Sequence, residues 1–226
     1  MDGNGRWAKQ KHFPRVLGHR SAIKTVRSVV ETCTELGIGV LTLYAFSTEN
    51  WGRPRSEVSF LMKLFEEFLQ RELSTLMKND IRLRLLGNQE QLPAFVQAPM
   101  KKALQDTKDN QGMVLCLAVS YGARDEITQA CKQLAHKVAE GILKPSEINE
   151  QMISDHLFTQ GLHDPDLIIR TSGEERLSNF LLWQAAYTEF YFTKTLWPDF
   201  KREDLLEALE IYSKRVRRIG KIDVEK

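Results

Sequence analysis

Four apolar runs punctuate the chain, at 38–46 (IGVLTLYAF), 81–86 (IRLRLL), 113–119 (MVLCLAV) and 167–171 (LIIRT). Their length and their content of branched and aromatic residues predict buried strands. Between them, apolar residues recur at three- and four-residue spacing, which predicts helices near 20–36, 56–78, 92–109, 123–140, 147–157, 178–186 and 202–218. Strands that alternate with helices in this way imply an α/β fold, a mostly parallel sheet flanked by helices on both faces. In such sheets, ligands gather in the loops at the carboxyl ends of the strands.

The strongest helical stripe, Phe60, Leu61, Leu64, Phe65, Phe68, Leu69, Leu73 and Leu76, packs against the sheet as core or forms one wall of an apolar tunnel. At 226 residues the chain suits one domain, read here as a single unit over 1–226. The formal net charge of +2 gives no reason to expect a nucleic-acid surface, so any strong positive field must come from clustered arginines. Cys33, Cys116 and Cys131 show no metal-binding or disulfide spacing, and buried thiols in a reducing cytoplasm are expected. No run approaches the ~18 apolar residues that span a bilayer, so any membrane contact would be peripheral, at the inner face.

Four loops combine small residues with charged or amide side chains: Asp2–Ala8 (DGNGRWA), Ser47–Arg53 (STENWGR), Ser120–Arg124 (SYGAR) and Arg170–Ser178 (RTSGEERLS). Glycine lets backbone N–H groups approach an anion while guanidinium forks close around it. The first loop formally satisfies G-x-G-x-x-A, the dinucleotide fingerprint, but Arg6 and Trp7 are bulky where that turn needs close packing. A strand normally leads into such a turn and none precedes Asp2, so a cropped or misplaced start is expected. The second loop reads alternatively as local Asn and Ser turns, and the fourth as surface pairing with Glu174 and Glu175. The third is expected to be a simple strand-to-helix turn. Glu189, set among aromatics, invites a partner or a metal.

MDGNGRWAK at 1–9, LTLYAFSTENWGRP at 41–54, DPDLIIRTSGEERLSNFLLWQ at 164–184 and TEFYFTKTLWPDF at 188–200 together resemble the cis-prenyltransferases, closest to the bacterial undecaprenyl diphosphate synthases. The paired DDxxD motifs of trans-prenyltransferases are absent, since the chain has no Asp-Asp pair. The resemblance implies repeated condensation of isopentenyl diphosphate onto an allylic diphosphate such as farnesyl diphosphate. It also implies a Z-configured product such as undecaprenyl diphosphate, a hydrophobic tunnel, a homodimer and a requirement for Mg²⁺.

By the same resemblance, Asp2 and Glu189 hold the metal. Gly3, Asn4, Gly5, Arg6, Trp7, Arg15 and His19 bind the allylic diphosphate. Arg170, Arg176, Leu177 and Ser178 hold isopentenyl diphosphate with help from Arg53. Ser47, Thr48, Glu49 and Trp51 line the reacting ends. Asn50 matches the residue assigned as proton acceptor; a neutral amide is a poor base, so we read it as orienting the alkene while a diphosphate oxygen takes the proton. Arg218 and Gly220 resemble an Arg-x-Gly element that reaches the partner's site. The family's Tyr-Gly-Gly-Arg turn reads Tyr121-Gly122-Ala123-Arg124 here. Two rivals remain at this point, a dinucleotide-binding oxidoreductase and a non-catalytic partner subunit of a prenyltransferase.

Overall fold

The computed structural model describes residues 1–216. Strand β3 (Val114–Tyr121) lies between β1 (Val40–Ser47) and β2 (Arg82–Leu86), both pairings parallel. Because both faces are covered, β3 is buried almost throughout and shows no polar alternation. Leu115, Leu117 and Val119 join the larger core, whereas Cys116 and Ala118 face a smaller one with Leu86, Tyr121 and Leu181. A second parallel pair, β4 (Leu167–Arg170) and β5 (Glu189–Phe192), completes the strands of the described residues.

Helices α1 (Asn4–Gln10), α2 (Arg15–Glu35), α3 (Arg55–Lys78) and α4 (Ala94–Asp106) precede β3, and α5 (Ala123–Ala139), α6 (Glu150–Ser154) and α7 (Arg202–Ser213) follow it. The larger core joins Val26 and Val29 of α2, Met62, Leu69 and Leu76 of α3, and Leu205 of α7 to the sheet. Gly18 lets α2 sit directly on α1, since a Cβ there would run into the Asn4 carbonyl oxygen.

Several expectations need correction. The apolar run at 178–186 has helical spacing but folds as successive turns, with Ser178, Asn179 and Leu181 at φ of 49°, 62° and 47°. Tertiary bonds hold it there: Trp183 Nε1 donates to Ser154 Oγ at 2.9 Å and Gln184 Nε2 to Glu126 Oε1 at 3.1 Å. The Asp2 turn runs straight into helix α1, which was not expected, and Glu189 begins a strand. The helix expected over 147–157 contracts to α6. Cys33 and Cys116 are buried, with burial pushing both thiols up to about 11, but Cys131 is exposed on α5.

Candidate active site

Strand β4 ends at Arg170, and the chain then passes through Ser172 and Gly173 at φ of 75° and 67°. A serine rarely adopts this left-handed backbone, and such strain concentrates at working loops. Asp2 is tied to the same strand end. Its N–H donates to Thr171 Oγ1 at 3.0 Å, and its carbonyl accepts from Thr171 Oγ1 at 3.1 Å and from Trp197 N–H at 2.9 Å. Arg170 lies across the group: Nε and Nη2 reach Asp2 Oδ2 at 3.0 and 2.8 Å, while Nη1 donates to Ser178 Oγ at 2.9 Å and to the Arg176 carbonyl. One guanidinium, 14% exposed, thus joins the Asp2 turn to the 176–178 loop. Leu177, half-buried, sits within that loop.

Gly3, at φ 99°, turns the chain into α1 where a Cβ would run into Ser172 Oγ. Glycine is therefore required to bring Asp2 against the β4 end. Trp7 is buried behind the turn and donates Nε1–H to Asp199 at 2.7 Å. Arg6 turns toward the β4 loop, donating to the Ser172 carbonyl at 3.0 Å and pairing with Glu174 at 2.8 Å. Glu174 also pairs with Arg176, so the surface-pairing alternative accounts for part of this loop.

A second cationic group forms where α2 and α3 begin. Glu57 Oε1 takes Arg15 Nε at 3.2 Å and Arg53 Nη1 at 3.1 Å, with His19 Nε2 at 3.7 Å. The last distance is too long for a hydrogen bond, so the buried His19 Nε2 has no hydrogen-bond partner among the described residues. Burial lowers the imidazole to about 4 against the opposing pull of Glu57, so His19 is neutral at ordinary pH. Gly5 keeps α1 close to this group, since a Cβ there would sit 3.1 Å from Arg15 Nε. Arg6 thus shares Glu174 with Arg176, and Arg53 shares Glu57 with Arg15. Beside Arg53 a cleft of about 280 Å³ opens between Trp51, Val58, Met62, Pro93 and Phe95.

The Ser47–Trp51 loop forms a short 3₁₀ turn, Thr48–Gly52, in which Asn50 Oδ1 accepts the Ser47 N–H at 3.1 Å. The Asn50 carbonyl is thereby committed to local structure, as the turn alternative anticipated. Trp51 donates to Ser120 Oγ at 2.9 Å and packs edge-on to Phe46, with ring centroids 4.9 Å apart. Burial alone would raise the Glu49 carboxyl, but hydrogen bonds from its own backbone, Asn179, Ser47 and Thr48 outweigh it and hold the group below its usual range. Asn179 is a residue the sequence reading missed. It donates to Glu49 at 2.8 Å and accepts the Arg124 N–H at 2.9 Å. It therefore locks the third loop onto the second and fourth, and its only sequence signal is an Asn beside Ser178. Glu57, the hub of the second cation group, was also missed, being one acidic residue in the first turn of a helix.

Glu189 is not brought to Asp2 within this chain. It pairs in register with Leu167, three residues from Arg170 and so roughly 10 Å along the strand. Its carboxylate takes Arg215 at 2.7 Å instead. Arg218 and Gly220 lie outside the described residues. Among the described residues no group of three metal-ligating side chains occurs. A hard cation nevertheless suits the donors of this turn: the Asp2 carboxylate is 44% exposed, and Asn4 Oδ1, two residues on, is a buried oxygen with no hydrogen-bond partner among the described residues. Such a site needs substrate oxygens to fill its coordination.

A prenyltransferase family model described for undecaprenyl diphosphate synthases matches residues 1–220. The isoprenyl transferase of Bacillus subtilis is 53% identical over 98% of this chain and 85% of its own. That of Halalkalibacterium halodurans is 52% identical over 97% and 86%. Among solved structures, lavandulyl diphosphate synthase from Lavandula x intermedia in complex with dimethylallyl diphosphate superposes with TM-score 0.95 at 40% identity, over 97% of this chain and 95% of that one. A probable undecaprenyl diphosphate synthase from Campylobacter jejuni gives TM-score 0.79 at 37% identity, over 89% and 93%. A strand-end arginine beside a glycine-led Asp turn, two arginine groups and these relatives converge on one assignment: the chain belongs to the isoprenyl transferase family of cis-prenyltransferases.

Proposed function

We propose that the protein condenses isopentenyl diphosphate repeatedly onto an allylic diphosphate, farnesyl diphosphate in the first round, to build a long Z-polyprenyl diphosphate. The product we infer is undecaprenyl diphosphate, the precursor of the cell-wall lipid carrier. The observation that carries this reading is the reach of Arg170, which touches Asp2 and Ser178 with one guanidinium. Two anionic groups held on either side of it would lie close enough to react at their attached carbons. Dimethylallyl diphosphate in the lavandulyl enzyme supports a prenyl diphosphate as ligand.

In this reading Asp2 would hold Mg²⁺ at the allylic diphosphate, and Gly3, Asn4, Gly5, Arg6, Arg15 and His19 complete that grip. Trp7 supports it from behind. When bound, the cation neutralises charge on the diphosphate as the allylic C–O bond breaks. Breaking that bond builds negative charge on the departing group, which the arginines and backbone N–H groups stabilise in place. Arg170, Arg176, Leu177 and Ser178, with Arg53, hold the incoming diphosphate. Ser47, Thr48, Glu49 and Trp51 line the reacting ends. Asn50 orients the alkene by fixing the 3₁₀ turn, and a diphosphate oxygen accepts the proton.

The growing chain lies in an apolar tunnel between α2 and α3. Residues 1–226 act as one catalytic domain in a homodimer, with Arg218 and Gly220 serving the partner's site. No helix among the described residues is long and apolar enough to cross a membrane, so a cytoplasmic protein in peripheral contact with the membrane surface is the arrangement we propose. Incubation with farnesyl diphosphate, radiolabelled isopentenyl diphosphate and Mg²⁺ tests the reading: labelled polyprenyl diphosphate is expected. Isopentenyl diphosphate that stays unincorporated by active, folded protein would overturn it.

A further inference from the structure

Seven Lys and Arg and no acidic residue lie between Asp2 and Glu31, in a chain whose formal net charge is only +2. Four of the seven are paired by the fold: Arg6 with Glu174, Lys11 with Asp199, Arg15 with Glu57 and Arg27 with Glu72. Lys9, Arg20 and Lys24 are exposed and have no ion-pair partner among the described residues.

Apolar side chains surface in the same corner. The turn between α1 and α2 exposes every residue from Lys11 to Arg15. Phe13 is 49% exposed, and Leu17, in the first turn of α2, is 40% exposed. Leu17, Arg20 and Lys24 recur at three- and four-residue spacing and so share one face of α2, while Ala22, Val26, Val29 and Cys33 carry the opposite face into the core. Lys9 flanks the turn from the α1 side, its carbonyl accepting the His12 N–H at 3.1 Å. The Phe13 ring leans on the buried Trp7, with ring centroids 6.3 Å apart, so it is held at the surface. Single exposed apolar residues are ordinary. At the far end of α2, Leu36 is exposed too, but it follows Glu31 and Glu35, both exposed, which an anionic surface would repel. At the Phe13 end, apolar insertion and cationic attraction act together, the combination that holds a helix in the plane of an anionic lipid surface.

We propose that the α1–α2 corner is the face by which the protein sits on an anionic lipid surface, with Phe13 and Leu17 inserted and Lys9, Arg20 and Lys24 on the headgroups. This rests on the reading that the protein keeps peripheral contact with a membrane, and it names the face. Arg15, between Phe13 and Leu17 in sequence, reaches Glu57 at 3.2 Å, so the corner adjoins the second cation group. A polyprenyl product too apolar for water is thereby made beside the bilayer that receives it.

The test is flotation of the whole chain with phosphatidylcholine vesicles, with and without phosphatidylglycerol, at low and at raised salt. Wild type is expected to float with the anionic vesicles and to be released by salt, which screens exposed charges. R20Q/K24Q removes two cations and should weaken partitioning about 25-fold, at roughly five-fold for each. F13S/L17S should weaken it by about 10-fold or more through lost apolar insertion. Both variants leave the diphosphate grips intact, so condensation in vesicle-free buffer should match wild type and shows that they fold. Wild type that ignores anionic vesicles overturns the membrane reading, and the face with it. Wild type that floats, with either folded variant floating equally well, overturns the face alone. Flotation reads no turnover, so a floating wild type that makes no polyprenyl product overturns the elongation reading and leaves the face standing.

Discussion

At Asp2 a single guanidinium is fixed by a strand end and a strained loop; at Glu57 a single carboxylate gathers two arginines and a neutral histidine from the starts of two helices. In the first group the cation is the hub and its bonds run to residues far apart in sequence, Asp2 and Ser178. In the second the anion is the hub, and its partners run from Arg15, 58% exposed, and Arg53, 32%, to His19, only 11% exposed. Arg170 is therefore preorganised, whereas Arg15 and Arg53 can leave Glu57 for a better anion. A preorganised donor needs no rearrangement as charge develops, which is where electrostatic catalysis gains most. The first group should govern turnover together with the grip on both diphosphates, and the second should govern affinity alone.

The largest effect is expected from Asp2→Ala, which removes the carboxylate that Arg170 binds among the described residues and the oxygen proposed for Mg²⁺. Turnover should fall by about 10²–10³-fold or more, the scale of losing one preorganised charge partner, as read by single-turnover incorporation of labelled isopentenyl diphosphate. Gly3→Ala comes next. At φ 99°, with Ser172 Oγ in the way, the added Cβ forces the Asp2 turn off the β4 end. A cost of about 1–3 kcal/mol in stability is expected from urea unfolding, with turnover lost alongside it.

Much of this contrast was legible in the sequence. Asp2, Arg170, Arg176 and Ser178 announced themselves because charged residues beside glycines at a strand end have little structural reason to be there. The long helices and strands β1 to β4 were legible because each buries a continuous stripe or run. The 178–186 segment was not: its apolar spacing suits a helix, yet bonds from Trp183 and Gln184 to distant partners hold it in turns. Nor was α1, whose seven residues are too few to show a period and which is fixed by packing against Gly18. Strand β5 was hidden because four residues, partly exposed, carry no clear alternation. Asn179 and Glu57 act through contacts that only the fold creates.

The second group offers a pH-dependent effect on stability. The His19 imidazole is lowered from 6.5 to about 4, so below pH 6.5 the unfolded chain takes up a proton that the folded one refuses. Stability is therefore full above pH 6.5 and falls as pH drops toward 4, by on the order of 3 kcal/mol. His19→Gln should flatten this part of the stability–pH curve, measured by urea midpoints between pH 7 and 4. An unchanged curve would place the acid sensitivity elsewhere.

The smallest effect is expected at Asn50. Its Oδ1 caps the 3₁₀ turn, so Asn50→Asp keeps the acceptor and should retain near-wild-type stability, while Asn50→Ala loses about 1 kcal/mol. If Asn50→Asp keeps near-normal turnover and Asn50→Ala does not lose it, Asn50 has no essential role in orienting the alkene.

The central claim is that one guanidinium joins the two diphosphate grips, and Arg170→Lys tests it most directly. Lysine keeps the charge but cannot reach Asp2 and Ser178 together. Steady-state condensation rates, with the allylic and isopentenyl diphosphates varied separately, should show both KM values rising by about 10-fold or more, the equivalent of losing a charge-assisted hydrogen bond on each side. A rise in only one KM, with the other at its wild-type value, would contradict the account.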